Sequence, residues 1–320
     1  MSFFSSKKPL TGKTIALFDI ENGSIAVALT RFSPTEEPRV FAEKRFPFSI
    51  PTQIHADALL QKIEASIEEG ATHLSEVAAR VRAHPVLGNT GVIEKSIFFL
   101  GAPWGKLDSL SGSEQQATAP RALTTSLKAI STRRLGDIPA SFHMFSRAAT
   151  HTISSFYPNE ASALCIISGE MTELIVIAEY KIAEYATFPI GLHTILRTLV
   201  SHSGISMEEA RSALILLPSY LLEAIHAAQQ HFLEQLFHSL EPLATHVDIQ
   251  NLFIIAHEPY GEWFAQTIVA SDSIATLFSD GGVVRALRAT QFAPFIAAHA
   301  PRPDLFILLE TLFANSIHRV

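Results

Sequence analysis

Apolar positions along the chain alternate between a strand rhythm and a helix rhythm, and the order of the two outlines the fold. Ile15 to Phe18 and Ile20 form a short apolar run, broken by Asp19 near its end and followed by Glu21-Asn22-Gly23. Such a run reads as a strand buried on both faces, and Asn-Gly is turn chemistry. Ser24 to Leu29 starts a second strand at once, so Thr14 to Thr30 reads as a tight hairpin with a carboxylate at its mouth. A hairpin tip can present backbone N–H groups to phosphates while a nearby Asp holds the water shell of Mg²⁺. An ordinary surface hairpin has the same local pattern.

The rest of the chain repeats the theme. Arg39 to Phe48 predicts a third strand, and Ile54 to Val81 carries apolar residues at helical spacing, with Gly70 expected to split it into two helices. His84 to Gly91 reads as a loop and Ser96 to Leu100 as a strand. Gly105 to Pro120 is rich in Ser, Gly, Gln, Ala and Thr, the composition of a mobile loop. Helices are expected over Ala122 to Ile130 and Phe142 to Phe156. Leu164 to Ile167, Glu173 to Tyr180 and Lys181 to Phe188 then form a second hairpin with a third strand. Helices follow from Leu192 to Ser201, Met207 to Leu214 and Leu221 to Leu240, the last with Leu222, Ile225, Ala228, Phe232, Leu236 and Leu240 on one face. Leu252 to Ala256 is a buried strand, and helical pieces are expected at Trp263 to Val269, Ile274 to Phe278, Val283 to Ala289 and Asp304 to Ile317. Hairpin, strand and helices thus occur twice, an internal duplication of an α/β unit without a solenoid period.

Composition narrows the function. With 320 residues and 48% hydrophobic content the chain can bury one large core or two lobes. A net charge of −7 and a pI near 6.0 argue against nucleic-acid binding by counterion release. The single cysteine, Cys165, excludes an intrachain disulfide framework and a four-cysteine zinc site, and it lies in an apolar strand as an inert thiol. A cytoplasmic setting is expected. Mean hydropathy is +0.23, yet no apolar run reaches the ~20 residues of a membrane span, and Lys7 and Lys8 follow Phe3 and Phe4, the reverse of a signal peptide. Among 14 histidines, His226/His231 and His193/His202 lack the spacing that puts two imidazoles on one helix face. No Gly-x-Ser-x-Gly elbow occurs.

With both hairpins in place the chain resembles the actin-like ATPase superfamily, in its cell-division and pilus-assembly branch (FtsA and PilM). The first motif of that family, Asp-Ile-Gly-Ser, resembles Asp19-Ile20-Glu21-Asn22-Gly23-Ser24, and the second resembles Ile166-Ile167-Ser168-Gly169-Glu170-Met171-Thr172-Glu173. Phe188-Pro189-Ile190-Gly191 with Thr194 is similar to the element after the second hairpin, and the strand ending in Pro103-Trp104 is similar to the start of the small inserted subdomain. The resemblance covers most of residues 13 to 270. It implies a two-lobed, ribonuclease H-like duplicated α/β fold with reduced inserted subdomains: a first lobe over 1–95, a reduced insertion over 96–135 with a mobile loop at 105–120, a helix returning to the first lobe over 136–160, and a second lobe over 161–320. Residues 13–50 and 164–190 should then face each other across a cleft as related three-stranded units.

The resemblance also implies site residues. Asp19 is the metal-side carboxylate, and Asn22, Gly23, Ser24, Gly169, Glu170, Thr172 and Gly191 are the nucleotide-contacting positions. Departures from the family pattern set the expected function. Ile166 stands where the second motif has Asp, and Glu21 stands where a Gly lets phosphate approach. Two like charges ~4 Å apart cost roughly 4 kcal/mol at an effective dielectric of ~20. The adenosine motif reads Ala256-His257-Glu258-Pro259 in place of a glycine run. Glu170 and Glu173 are expected in loop and strand-face roles. The expectation is a scaffold with little or no ATP hydrolysis and no cofactor, serving a type IV pilus or cell-division assembly through protein partners at the inner face of the cytoplasmic membrane, with homo-oligomerisation left open. The alternative is an active Mg-ATP-binding ATPase of the FtsA/PilM type. The final helix has Asp304 and Glu310 on its polar face in place of the Lys and Arg of a membrane tether, so it is expected to pack on the second lobe.

Overall fold

Each hairpin seeds its own sheet. The computed structural model describes residues 12–48, 56–84, 87–107, 117–158, 161–278, 282–298 and 300–318. In the first sheet β1 (Lys13–Ile20) pairs antiparallel with β2 (Ser24–Phe32), and β2 with β3 (Arg39–Pro47). On the other side β4 (Ile93–Leu100) adds parallel to β1; two further short strands, β5 (Lys106–Leu107) and β6 (Ala117–Thr118), pair only with each other. β7 (Ala140–Met144) adds parallel to β4. The second sheet repeats this plan: β8 (Ser162–Ile167), β9 (Thr172–Ala178) and β10 (Lys181–Phe188) form the antiparallel part, and β11 (Asn251–Ala256) and β12 (Val283–Ala286) extend it in parallel. The orders β3-β2-β1-β4-β7 and β10-β9-β8-β11-β12 correspond strand for strand, so the duplication expected from the sequence is present as two separate sheets.

Both central strands are buried on two faces because helices cover each sheet from both sides. Outside the first sheet, α1 (Ala56–Ala83) and α2 (Arg121–Leu135) pack Ile63, Ile67, Leu74 and Leu127 against Ala16, Phe18, Ile20 and Val27. Between the sheets lies α3 (Phe145–Phe156). Outside the second sheet, α4 (Leu192–Ser203), α5 (Met207–Leu216), α6 (Leu222–Ala244) and α7 (Tyr260–Val269) cover Cys165, Ile167, Leu174 and Val176. The short α8 (Asp272–Ala275) and α9 (Ala289–Phe292) lead through β13 (Ala297–Ala298) to α10 (Leu305–His318), which joins α3 in the middle layer. Ile15 and Leu17 reach this central core from one sheet, and Leu164, Ile166 and Ile255 from the other.

Several expectations are corrected. Gly70 does not break α1; a Cβ there would lie 2.6 Å from Val27 Cγ1, so the glycine lets one continuous helix approach β2. Residues 140–144 are strand and the following helix starts at Phe145, because Phe142 and His143 pair with Phe98 and Phe99. Residues 283–286 are also strand, an edge partner of β11. The strand at Ser96 lies in the first sheet, where Ser96 pairs with Ala16. The final helix packs chiefly on α3, β2 and β1 and also meets β11, and β13 pairs with β3, so this segment lies between the two sheets and is tied to the first as well as the second. Of the loop expected over 105–120, residues 108–116 lie outside the described residues.

Candidate functional site

Strand register decides what surrounds Asp19. Asp19 is opposite Ala26, and Ala26 is opposite Arg45, so the three form one row across β1, β2 and β3. Ala26 has only a methyl group, and the Arg45 guanidinium extends across it. Its Nη2 lies 2.7 Å from Asp19 Oδ2, its Nε 2.6 Å from Asp304 Oδ2, and its Nη1 2.7 Å from Ser24 Oγ and 3.4 Å from Glu21 Oε1. Asp304 also caps α10 by accepting from the Phe306 N–H at 2.9 Å, which joins the guanidinium to the helix N-terminus.

One guanidinium thus serves several carboxyl groups buried at the inner face of the first sheet. Burial pushes Asp304 up, but Arg45 overrides it and holds the group down to about 2. Burial pushes Asp19 up to about 7 against the pull of Arg45. Glu43, which accepts from the Asp304 N–H at 2.8 Å, is pushed up to about 7 by burial as well. Glu310 of α10 is fully buried, and burial followed by the neighbouring Asp19 pushes it well above the carboxylate range. Asp19 Oδ1 and both Glu310 carboxyl oxygens are buried without a hydrogen-bond partner among the described residues. Glu21 is buried too, yet His257 and then Arg45 hold it below the ordinary value. His257 Nε2 is 2.9 Å from Glu21 Oε2 and its ring lies over Phe306, with centroids 4.6 Å apart.

The two hairpin tips meet directly. Asn22 Oδ1 accepts from the Glu170 N–H at 2.7 Å and from the Ser168 hydroxyl at 3.1 Å, while its Nδ2 donates to Ala102 O at 2.9 Å. Gly23 and Gly169 touch through their backbones: a Cβ on Gly169 would fall 2.7 Å from Gly23 Cα, and one on Gly23 would fall 2.9 Å from Gly169 Cα. A second bridge runs from Glu173, which accepts from the Ala102 N–H at 3.0 Å and from the Tyr185 hydroxyl at 2.9 Å. Trp104 seals the edge, its Nε1–H donating to Glu21 O at 3.2 Å.

The remaining predicted positions are engaged in the same way. Glu170 forms a fork with Arg197 at 2.8 and 2.5 Å and lies 3.4 Å from His193 Nδ1; burial is outweighed by these partners, which hold the carboxylate below its ordinary range. Gly191 leaves no room for a side chain, since a Cβ would meet Ser168 O at 2.5 Å. The first N–H groups of α4 therefore reach the hairpin carbonyls, Leu192 to Ser168 at 3.0 Å and His193 to Gly169 at 2.7 Å. Thr172 Oγ1 donates to Ile190 O at 2.6 Å. Ile166 packs in the central core, and Glu258 turns away to accept from the Ala289 N–H at 3.0 Å. Cys165 is buried, and burial pushes its thiol up. No metal-binding group of three or more His, Cys, Asp or Glu occurs among the described residues.

Beside the hairpin contact a hollow of about 300 Å³ remains, lined by Gly23, His193, Arg211, His257 and Tyr260 among others. A larger one of about 570 Å³ opens past Arg45 toward Glu43, Arg302 and Asp304. Of the positions singled out from sequence, Asn22, Gly23, Gly169 and Glu170 meet where the two hairpin tips touch, Asp19 and Ser24 contact Arg45 within the first sheet, and Thr172 and Gly191 bond within the second lobe. Sequence reasoning missed Arg45, Asp304 and Glu310. Arg45 was visible only as a charge in an imperfectly alternating strand, and the two α10 carboxyls only as a polar face.

No protein-family model matches the sequence, and no curated protein matches it. Solved structures match it in fold. A PilM–PilN type IV pilus biogenesis complex aligns at a TM-score of 0.61 with 12% identity, covering 94% of this chain and 97% of that one. Ethanolamine utilization protein EutJ from Carboxydothermus hydrogenoformans aligns at 0.54 with 14% identity, covering 87% and 86%. The apo psk41 ParM protein aligns at 0.51 with 9% identity, covering 97% and 99%. The chain has the two-lobed α/β fold of the actin-like ATPases.

Proposed function

We propose that this chain is an actin-like scaffold with little or no ATP hydrolysis, working in a membrane-associated assembly of the type IV pilus or cell-division kind. The carrying observation is the Asn22 carboxamide, whose oxygen takes the Glu170 N–H and the Ser168 hydroxyl. Those are the donors that the second hairpin would turn toward a phosphate oxygen. Asn22 therefore acts as an internal substitute for phosphate, and the Arg45 guanidinium beside Asp19 as an internal substitute for Mg²⁺. With Gly23 against Gly169 the residues do not fit a triphosphate with its metal.

The assembly context rests on fold likeness to PilM in its complex with PilN. No helix among the described residues is long and apolar enough to cross a membrane, which suits attachment through protein partners on the cytoplasmic side. In domain terms we propose two lobes built on the two sheets, the chain end returning to the first, with the insertion reduced to the β5–β6 ladder.

Isothermal titration of the full chain with ATP and Mg²⁺ tests the reading. No stoichiometric binding is expected at micromolar nucleotide. A micromolar Kd, lost in Asp19→Ala, would overturn it in favour of an active ATPase.

A further inference from the structure

Five large apolar side chains stand exposed within eight residues where α5 hands over to α6: Ile215, Leu216, Leu217, Tyr220 and Leu222, with Leu216 76% and Tyr220 80% accessible. The segment is held from below. Leu214, Leu221 and Ile225 are buried in the second-lobe core, and α5 begins in a capping box in which Ser206 and Glu209 bond each other's backbone N–H. Leu217 ends the helix in left-handed backbone, φ 47 and ψ 55, a region leucine seldom adopts. Pro218 and a short turn over Ser219–Leu221 follow, so the chain forms a fixed knuckle. Beside it opens a hollow of about 290 Å³ lined by Glu208, Glu209, Ser212, Leu216, Pro218 and Tyr220.

The rim is acidic. Glu208 and Glu209 line the hollow and Glu223 lies next to Leu222, while Arg211 lies 3.8 Å from Glu208. We propose that this knuckle docks a short partner segment that is apolar at its centre and carries Lys or Arg at its flanks. A clustered patch of this kind on a folded chain marks an interaction site. A second copy is the poorer occupant on two counts. A standard stable interface takes about 800 Å² from each partner, and five partly exposed side chains supply only a few hundred. Self-pairing across a two-fold would also set one acidic rim against a second acidic rim.

The test is a display selection of random twelve-residue peptides on the full chain, with binding of the enriched peptides measured for wild type, Leu216→Ser/Tyr220→Ser and Glu208→Lys/Glu223→Lys. The substituted side chains are exposed, and equal Tm values for the three proteins check that each is folded. Expected are peptides with an aliphatic or aromatic centre and basic flanks, at least tenfold weaker on either variant. A copy with glutamate flanks should recover binding on the charge-reversed variant. Enriched peptides that bind both variants as well as wild type, peptides without basic flanks, or no enrichment at all would overturn the proposal. Sedimentation showing self-association of wild type, abolished by Leu216→Ser/Tyr220→Ser, would assign the knuckle to a second copy instead.

Discussion

Asn22 Oδ1 lies 2.7 Å from the backbone nitrogen of Glu170, a residue 148 positions further along the chain. This one contact joins the tips of two hairpins that belong to separate sheets. The same side chain also takes the Ser168 hydroxyl and gives its N–H to Ala102. Removing it would leave the Glu170 N–H and the Ala102 carbonyl without their partner, whereas the Ser168 hydroxyl keeps Met171 O at 2.9 Å.

Asn22→Ala is therefore expected to loosen the junction. Each polar group left buried and unpaired costs roughly 1–3 kcal/mol, although water entering the junction recovers part of that. The readout is hydrogen exchange of the Glu170 amide, expected to quicken at least tenfold. Unchanged protection of that amide would mean that the backbone contact of Gly23 with Gly169 holds the lobes without help from Asn22.

Arg45 is the cation on which the carboxyl cluster depends. Arg45→Met leaves Asp19, Glu21 and Asp304 without their shared partner and is expected to cost roughly 3–5 kcal/mol in urea unfolding. Adding Asp19→Asn should return part of the loss, since one buried charge disappears with its partner. Arg45→Lys should recover little, because an ammonium lacks the planar fork that spans Asp19, Ser24 and Asp304.

Glu43 gives a pH signature. Its value rises from 4.5 in the reference state to about 7 in the fold, chiefly by burial. Between those values the folded state holds more proton than the unfolded one, so this group's contribution is full below about pH 4.5 and is lost as pH rises through about 7. Glu43→Gln keeps an oxygen for the Asp304 N–H and removes the titration. It should raise Tm at pH 8 relative to wild type and leave a smaller difference at pH 5. A gain that is equal at both values would contradict the assignment.

Gly70 sets two effects of opposite sign against each other. Alanine in a helix interior gains about 1 kcal/mol over glycine, but here its Cβ would sit 2.6 Å from Val27 Cγ1 in a packed core, and overpacking costs roughly 1–3 kcal/mol. Gly70→Ala should lower Tm in the wild-type background. In a Val27→Ala background, where the obstructing methyl is gone, the same substitution should raise it.

The sequence by itself determined the elements whose cause is local. Apolar runs closed by turn residues specified both hairpins, because a strand buried on two faces must be apolar throughout. The helical spacing from Leu222 to Leu240 specified the apolar face of α6 for the same kind of reason. Asp19, Asn22 and Gly23 could be singled out because a carboxylate and an Asn-Gly turn are rare within such runs. Where local pattern and tertiary context disagreed, context prevailed: 283–286 became strand because β11 offered an open edge, and α1 ran through Gly70 because β2 required a close approach.

Only the tertiary structure decided what occupies the junction. Arg45 reaches Asp19 because pairing across three strands places Ala26 between them, and pairing register is a property of the folded sheet. Asp304 reaches Arg45, and Glu310 comes near Asp19, because β13 pairs with β3 and carries this segment back to the first lobe. The clasp of Asn22 on Glu170 depends on how two lobes meet, which no periodicity within either lobe encodes.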